Sequence, residues 1–273
     1  MTRIDRIARL TSLAVAPLLA VGCADGSDPL DGVNLFTIQD DIDLGLQTKE
    51  AIEDDPENYP LLDEAQYPEA YAHLYRMRDE ILVSDDFDNA KKFDWELFII
   101  EDDETLNAFC APGGYIYVYT GLMKFLDTED ELVGVLGHEM AHADQRHSTE
   151  QLTEAYGIQT VANLLLGEDG GLAGQIASAV AGLSFSRADE AEADSYSVKY
   201  LCDTDYAADG AAGFFEKLLD ESGSGGYEIP EFLSTHPSSE SRVADIQGLA
   251  KDLGCSTAEN PDADYQEVLN SLP

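Results

Sequence analysis

Apolar residues recur at helical spacing through "PEAYAHLYRMRDEIL", where Ala70, Leu74, Met77 and Ile81 share one face behind Pro68, a residue suited to a first helical turn. Residues 37–52 also predict a helix. The short β-prone run "FDWELFII" (93–100) and the alternating aromatic and aliphatic run "GGYIYVYTG" (113–121) predict strands. "TEDELVGVLGHEMAHADQRH" opens with Thr128 and Glu131 in capping-box spacing and continues as a largely apolar helix. Residues 153–184 are small and apolar, broken by "GEDGG", and predict a helical hairpin whose arms are too short to cross a bilayer. Further helices are predicted at 211–219 and 239–253, the latter ended by Gly254. No internal repeat is visible. A few strands followed by many helices point to one mostly helical α+β domain.

Composition narrows the functions this pattern can serve. The chain has 273 residues, 44% of them hydrophobic, enough for a substantial core. Its 15 basic residues stand against 55 acidic ones, a formal charge of −40. That excludes nucleic-acid binding and docking on anionic lipid, which need Lys/Arg patches. The acidity fits a solvated surface tuned to a saline habitat; an acidic surface selected for basic substrates is the alternative.

The N-terminus reads as an export signal. Arg3, Arg6 and Arg9 precede an apolar run over 10–21, too short to span a membrane, and small residues then lead to Cys23. "LLAVGC" resembles a bacterial lipobox, with Ala20 where leucine is usual. Cys23 would then be lipidated and become the mature N-terminus; a plain secreted protein cleaved nearby is the alternative. Ala24 after Cys23 favours the outer membrane over the inner one, and either reading places the mature protein outside the cytoplasm. The turn-rich, acidic start of that protein, "ADGSDPLDG", is expected to be a flexible tether.

The apolar helix also carries the chemistry. His138, Glu139 and His142 form H-E-x-x-H, which sets two imidazoles on one helical face where both reach a single ion. Glu139, offset by one residue, is placed to act as general base towards a water at that ion. The bland alternative is a pair of core histidines bonded to backbone carbonyls. A catalytic zinc ordinarily takes three protein ligands, and the extended H-E-x-x-H-x-x-G-x-x-H pattern is absent, since Gln145 and Ser148 occupy the diagnostic positions. His147, nine residues after His138, falls about half a turn away on an ideal helix, which predicts a surface residue or helix-end cation. The third ligand is sought in "SRADEAEAD", where Glu190 and Asp194 share a face and Glu192 points away. Glu190 suits a ligand, and Asp194 suits an acceptor for a ligand histidine's free N–H. A solvated acidic helix is the rival reading. His73, with no partner motif, is expected to be structural.

"LGHEMAHADQRHS" followed by "FSRADEAEADSYSV" resembles the HtpX and CAAX prenyl endopeptidase-type zinc metallopeptidases, which are gluzincins, and is closest to their soluble periplasmic BepA- and LoiP-like members. "LNAFCAPGGYIYVYTGLM" and "STHPSSESRVADI" resemble two further segments of that family, and the likeness covers roughly residues 94–253. It implies one Zn²⁺ per chain held by His138, His142 and Glu190, with Glu139 as catalytic base. It also implies an edge strand, Tyr115, Ile116, Tyr117, Val118 and Tyr119, flanking the active-site helix and pairing with extended substrate. His236, in "STHP", would approach the metal either to steady an oxyanion or to close the open position; a turn histidine before Pro237 is the bland reading. Arg187 and Arg242 are candidates to orient the carboxylates, surface ion pairs being the alternative. Cys110 stands where the family has a small or aliphatic residue, and the membrane helices of HtpX-like members are missing, which argues against membrane-embedded or prenylated substrates. Because Cys110 lies at the expected rim of the site, Cys202 with Cys255 is the preferred disulfide.

The chain therefore divides, as expectation, into a lipoprotein-type signal peptide (1–22), an acidic tether with an N-terminal helix (23–60), a zincin-like peptidase domain (61–254) and a tail (255–273). The function expected is endopeptidase quality control of unfolded or misassembled envelope proteins in the bacterial periplasm, with membrane contact only through the lipid. A chaperone or assembly factor with a self-inhibited site is the rival.

Overall fold

The computed structural model describes residues 32–165, 179–180, 182–223, 231–236, 241–260 and 264–273. The signal segment, Cys23, the start of the tether, "GEDGG" and Pro237 lie outside the described residues. The order is α1 (Ile38–Glu53), α2 (Pro68–Ile81), β1 (Glu96–Ile100), β2 (Ala108–Ala111), β3 (Tyr115–Tyr119), α3 (Thr120–Phe125), α4 (Glu129–Asp144), α5 (His147–Leu165), α6 (Arg187–Leu201), α7 (Gly210–Gly223), α8 (Glu231–Thr235), α9 (Arg242–Leu253) and α10 (Tyr265–Asn270). This is a mostly helical α+β fold with one small sheet. No helix among the described residues is long and apolar enough to cross a membrane.

Local chemistry sets the helix ends. Thr37 with Asp40, Thr128 with Glu131 and Ser186 with Asp189 each form a reciprocal capping box, so α1, α4 and α6 begin with their first donors satisfied. Gly254 ends α9 in the left-handed region at φ 77°, where a residue without Cβ carries no steric cost. Of the predicted hairpin, the first arm is present as α5, broken at Gly157 (φ 74°, ψ 158°).

The three strands run in the order β1–β3–β2, with β3 parallel to β1 and antiparallel to β2. The expected edge strand is thus corrected: Tyr115, Ile116, Tyr117, Val118 and Tyr119 form the central strand, paired on both sides. All five are buried. Their alternation separates two covered faces. Ile116 and Val118 join the main core with α2, α4, α6 and α7, while Tyr115, Tyr117 and Tyr119 join a second core with Leu44 and Ile52 of α1. Tyr117 stacks on Phe98 at 4.9 Å and on Phe109 at 4.7 Å between ring centroids. The edge beside α4 is instead β2, only four residues long and too short to show a period.

α4 is the axis of the molecule, packed by α6 on one side and α7 on another. The crossing with α7 depends on two glycines. A Cβ on Gly134 would stand 2.1 Å from the Ala211 backbone nitrogen, and one on Gly210 would stand 2.1 Å from the Asp130 carbonyl oxygen. Backbone cannot yield as a side-chain tip can. Gly134→Ala is expected to destabilise the fold by about 3 kcal/mol, the upper end of overpacking costs, read as a lower urea midpoint. The predicted Cys202–Cys255 disulfide is present, with Cα atoms 4.8 Å apart, and joins the end of α6 to the end of α9. Cys110 is free and buried.

Candidate active site

The polar residues of α4 lie in its buried length: His138 and Glu139 are each 1% exposed and His142 is 0%. One helical turn apart, the two imidazoles bring their Nε2 atoms to 3.1 Å. Glu190, in the first turn of α6, faces both, with carboxylate oxygens 3.6 Å from His138 Nε2 and 3.5 Å from His142 Nε2. His236, just after α8, brings Nδ1 to 3.0 Å from Glu190 Oε1. His138, His142, Glu190 and His236 each offer one ligand atom, all within 4.8 Å of one another and all buried.

This set fits a divalent metal. Imidazole nitrogens and a carboxylate converge on one point, a donor chemistry zinc accepts. Several buried atoms there also lack any hydrogen-bond partner in the protein, namely both oxygens of Glu139 and Nε2 of His236. Nitrogens turned towards one another and orphaned oxygens are costly in an interior unless a further group completes them.

Arg242 is 4% exposed and opens α9. It donates through Nε and Nη2 to the two oxygens of Asp194 at 2.8 and 2.7 Å, and through Nη1 to Glu190 Oε2 at 2.7 Å. Asp194 Oδ1 in turn lies 2.9 Å from His138 Nδ1, the face of that ring turned away from the cluster. Of the two arginines offered by the sequence, Arg242 orients the carboxylates, whereas Arg187 is exposed.

Charges in the metal-free site follow from this wiring. Burial disfavours the His138 cation, but Asp194 and Glu190 overcome it and raise its pKa to about 9. Burial pushes His142 well below the usual histidine value. Burial also works against the Glu190 and Asp194 carboxylates, yet the neighbouring His138, His142 and His236 hold Glu190 low, and His138 and Arg242 hold Asp194 low. Glu139 has no such donors, so burial raises its pKa despite the nearby histidines. A carboxylate made more basic by desolvation is suited to take a proton.

Residues 68–250 match the model of peptidase family M48. The chain belongs to that family. M48 members are metal-dependent peptidases; His138, His142 and Glu190 of the cluster lie on the H-E-x-x-H helix and the downstream carboxylate helix, and His236 joins them from the end of α8. The beta-barrel assembly-enhancing protease of Escherichia coli (strain K12) is 30% identical over 178 residues, 60% of this chain and 36% of that protein. The protein of that name from Yersinia pestis is 28% identical over 194 residues, 66% of this chain and 39% of its own. The mitochondrial metalloendopeptidase OMA1 of Schizosaccharomyces pombe is 33% identical over 157 residues, 56% of this chain and 46% of that protein. The M48 chain thus spans less than half the length of each of these three relatives.

Two sequence expectations change at this site. His147 is no surface residue: it is 2% exposed, and its Nδ1 lies 2.9 Å from His142 Nδ1. The ideal-helix projection fails because α4 stops at Asp144 and Arg146 takes φ 67°, a turn unmarked by any glycine or proline. The second change concerns the free edge. Tyr119 N–H donates to the Asn107 carbonyl at 3.1 Å, so by antiparallel alternation the backbone groups of Ala108 and Cys110 face away from β3. Burial, and then the charge of Glu139, push the Cys110 thiol well above its ordinary pKa, which keeps it unreactive.

Proposed function

We propose that this M48 chain is a zinc endopeptidase that cleaves unfolded or misassembled proteins of the bacterial envelope. The observation that carries the reading is Glu139, a buried carboxylate with neither oxygen hydrogen-bonded, beside four converging metal donors. His138, His142 and Glu190 would hold one Zn²⁺, which when bound supplies Lewis-acid polarisation of the scissile carbonyl. Glu139 removes a proton from the attacking water and returns it to the amide nitrogen as the C–N bond breaks. His236 Nε2, 3.5 Å from Glu139 Oε1, faces the same space and can donate to the developing oxyanion. Asp194, with Oδ1 2.9 Å from His138 Nδ1, is placed to set the tautomer of that ring, and Arg242 holds both carboxylates in register.

The export signal, the lipobox-like Cys23 and the names of the enterobacterial relatives support a periplasmic protein anchored by lipid to the outer membrane. Purified protein should cleave casein, lose activity with a chelator and regain it with zinc. Chelation should also lower the melting temperature, because a ligand bound only by the folded state stabilises it. Casein cleavage that persists after complete metal removal would overturn the reading.

His236 favours a second reading. As a fourth donor it could occupy the position substrate needs, leaving a self-inhibited assembly factor. Zinc-replete protein that suppresses client aggregation but cuts nothing would support that alternative.

A further inference from the structure

Among the described residues, a buried imidazole beside the site has no part in the mechanism above: His147, only 2% exposed. We infer that His147 is a positioning residue that holds His142 in its metal-binding tautomer through an Nδ1–H···Nδ1 hydrogen bond. The inference rests on the proposed metal site.

The proton placement follows from geometry. His142 turns Nε2 towards His138 and Glu190, at 3.1 and 3.5 Å, and turns Nδ1 towards His147 Nδ1 at 2.9 Å. A neutral imidazole that gives its Nε2 lone pair to a metal must carry its proton on Nδ1. That proton can only be donated to the facing nitrogen, so His147 accepts at Nδ1 and carries its own proton on Nε2. The nearest carboxylate to that nitrogen is Glu192, Oε2 at 3.4 Å, half-exposed on α6. Each nitrogen in the line then has one role, and the line ends in a carboxylate that solvent reaches. This gives Glu192, on the face of α6 turned away from the cluster, an electrostatic part in the site.

The strained turn explains how His147 gets there. Arg146 has φ 67°, a region that disfavours side chains with a Cβ. It is held there by a bidentate pair from Nε and Nη2 to the buried Asp41 of α1, at 2.5 and 3.2 Å. Asn34 reinforces the turn by donating to the Arg146 carbonyl at 3.4 Å and to Thr149 Oγ1 at 2.9 Å. Phe185 stacks on His142 at 4.0 Å and lies 6.4 Å from His147, closing the apolar wall behind both rings. Thus α1, which precedes the residues matched by the family model, fixes the orientation of a metal-site histidine through Asp41, Arg146 and His147.

The test reads tautomers and affinity. In zinc-loaded wild-type protein labelled with ¹⁵N-histidine, His142 should be protonated at Nδ1 and His147 at Nε2 alone. His147 found with its proton on Nδ1, or doubly protonated, overturns the inference without any mutation. Zinc affinity by chelator competition should fall about 10–100-fold in His147→Phe, which keeps a ring but cannot accept. His147→Asn, whose carbonyl oxygen replaces Nδ1 as acceptor, should recover most of that loss at matched thermal stability of the metal-free chains. Equal affinity in wild type and His147→Phe overturns this inference alone. A wild type that takes up no zinc overturns the metal reading and this inference with it.

Discussion

Glu139→Gln should leave zinc content and thermal stability near wild type while lowering kcat by about 10²–10⁴, the range lost with a general acid–base group. The separation of effects follows from the site. Glu139 is not among the four converging donors, so metal uptake does not depend on it. Neither of its oxygens makes a hydrogen bond, so an amide of the same shape breaks nothing and relieves the cost of a buried carboxylate. Only basicity is lost. Zinc content by atomic absorption and casein turnover on the same preparation check the prediction; a variant that retains wild-type kcat removes Glu139 from the mechanism.

Arg242→Met should have the opposite signature, a large loss of stability with weakened metal binding. The guanidinium makes three hydrogen bonds of 2.7–2.8 Å to two buried carboxylates. Removing it strands both charges away from water, and breaking a buried pair in this way costs about 3–5 kcal/mol. The loss should be largest in the metal-free chain, where no cation replaces the missing charge, so the gap between wild type and variant should narrow when zinc is added. Zinc affinity should itself fall, on the order of 10–100-fold, because Arg242 fixes both Glu190 and the Asp194 that backs His138. Arg242→Lys should recover only part, since one ammonium cannot reproduce a planar fork. Parallel thermal melts with and without zinc read both effects; an unchanged melting temperature in Arg242→Met would show that the clamp contributes nothing.

The parts of the site legible in the sequence were those written in local periodicity. His138 and His142 share a face because the helix repeats every 3.6 residues, and the same repeat paired Glu190 with Asp194 and set Glu192 apart. The capping boxes at Thr128 and Ser186 mark the starts of both helices, although only the first was anticipated. What failed was extrapolation across a break. His147 was projected along a helix that ends three residues before it, at a turn made by an arginine held by Asp41 more than a hundred residues earlier. Lateral order in the sheet was likewise not local. "YIYVY" announces a strand, but its central place depends on β2, whose four residues are uniformly apolar. Arg242 could be suspected but not chosen over Arg187, because burial rather than spacing distinguishes them.

The disulfide has a mechanical consequence. α6 and α9 each begin at the metal site, with Glu190 and Asp194 in the first two turns of one and Arg242 as the first residue of the other. They are bonded together at their far ends, roughly 15–20 Å away at 1.5 Å per residue. The two helices therefore resemble tongs pinned at the handles. The bond touches nothing in the site, yet it limits how far the jaws can splay, and so how far the guanidinium can drift from its carboxylates. Thiol chemistry at the handles would be felt at the jaws as a looser grip on the metal.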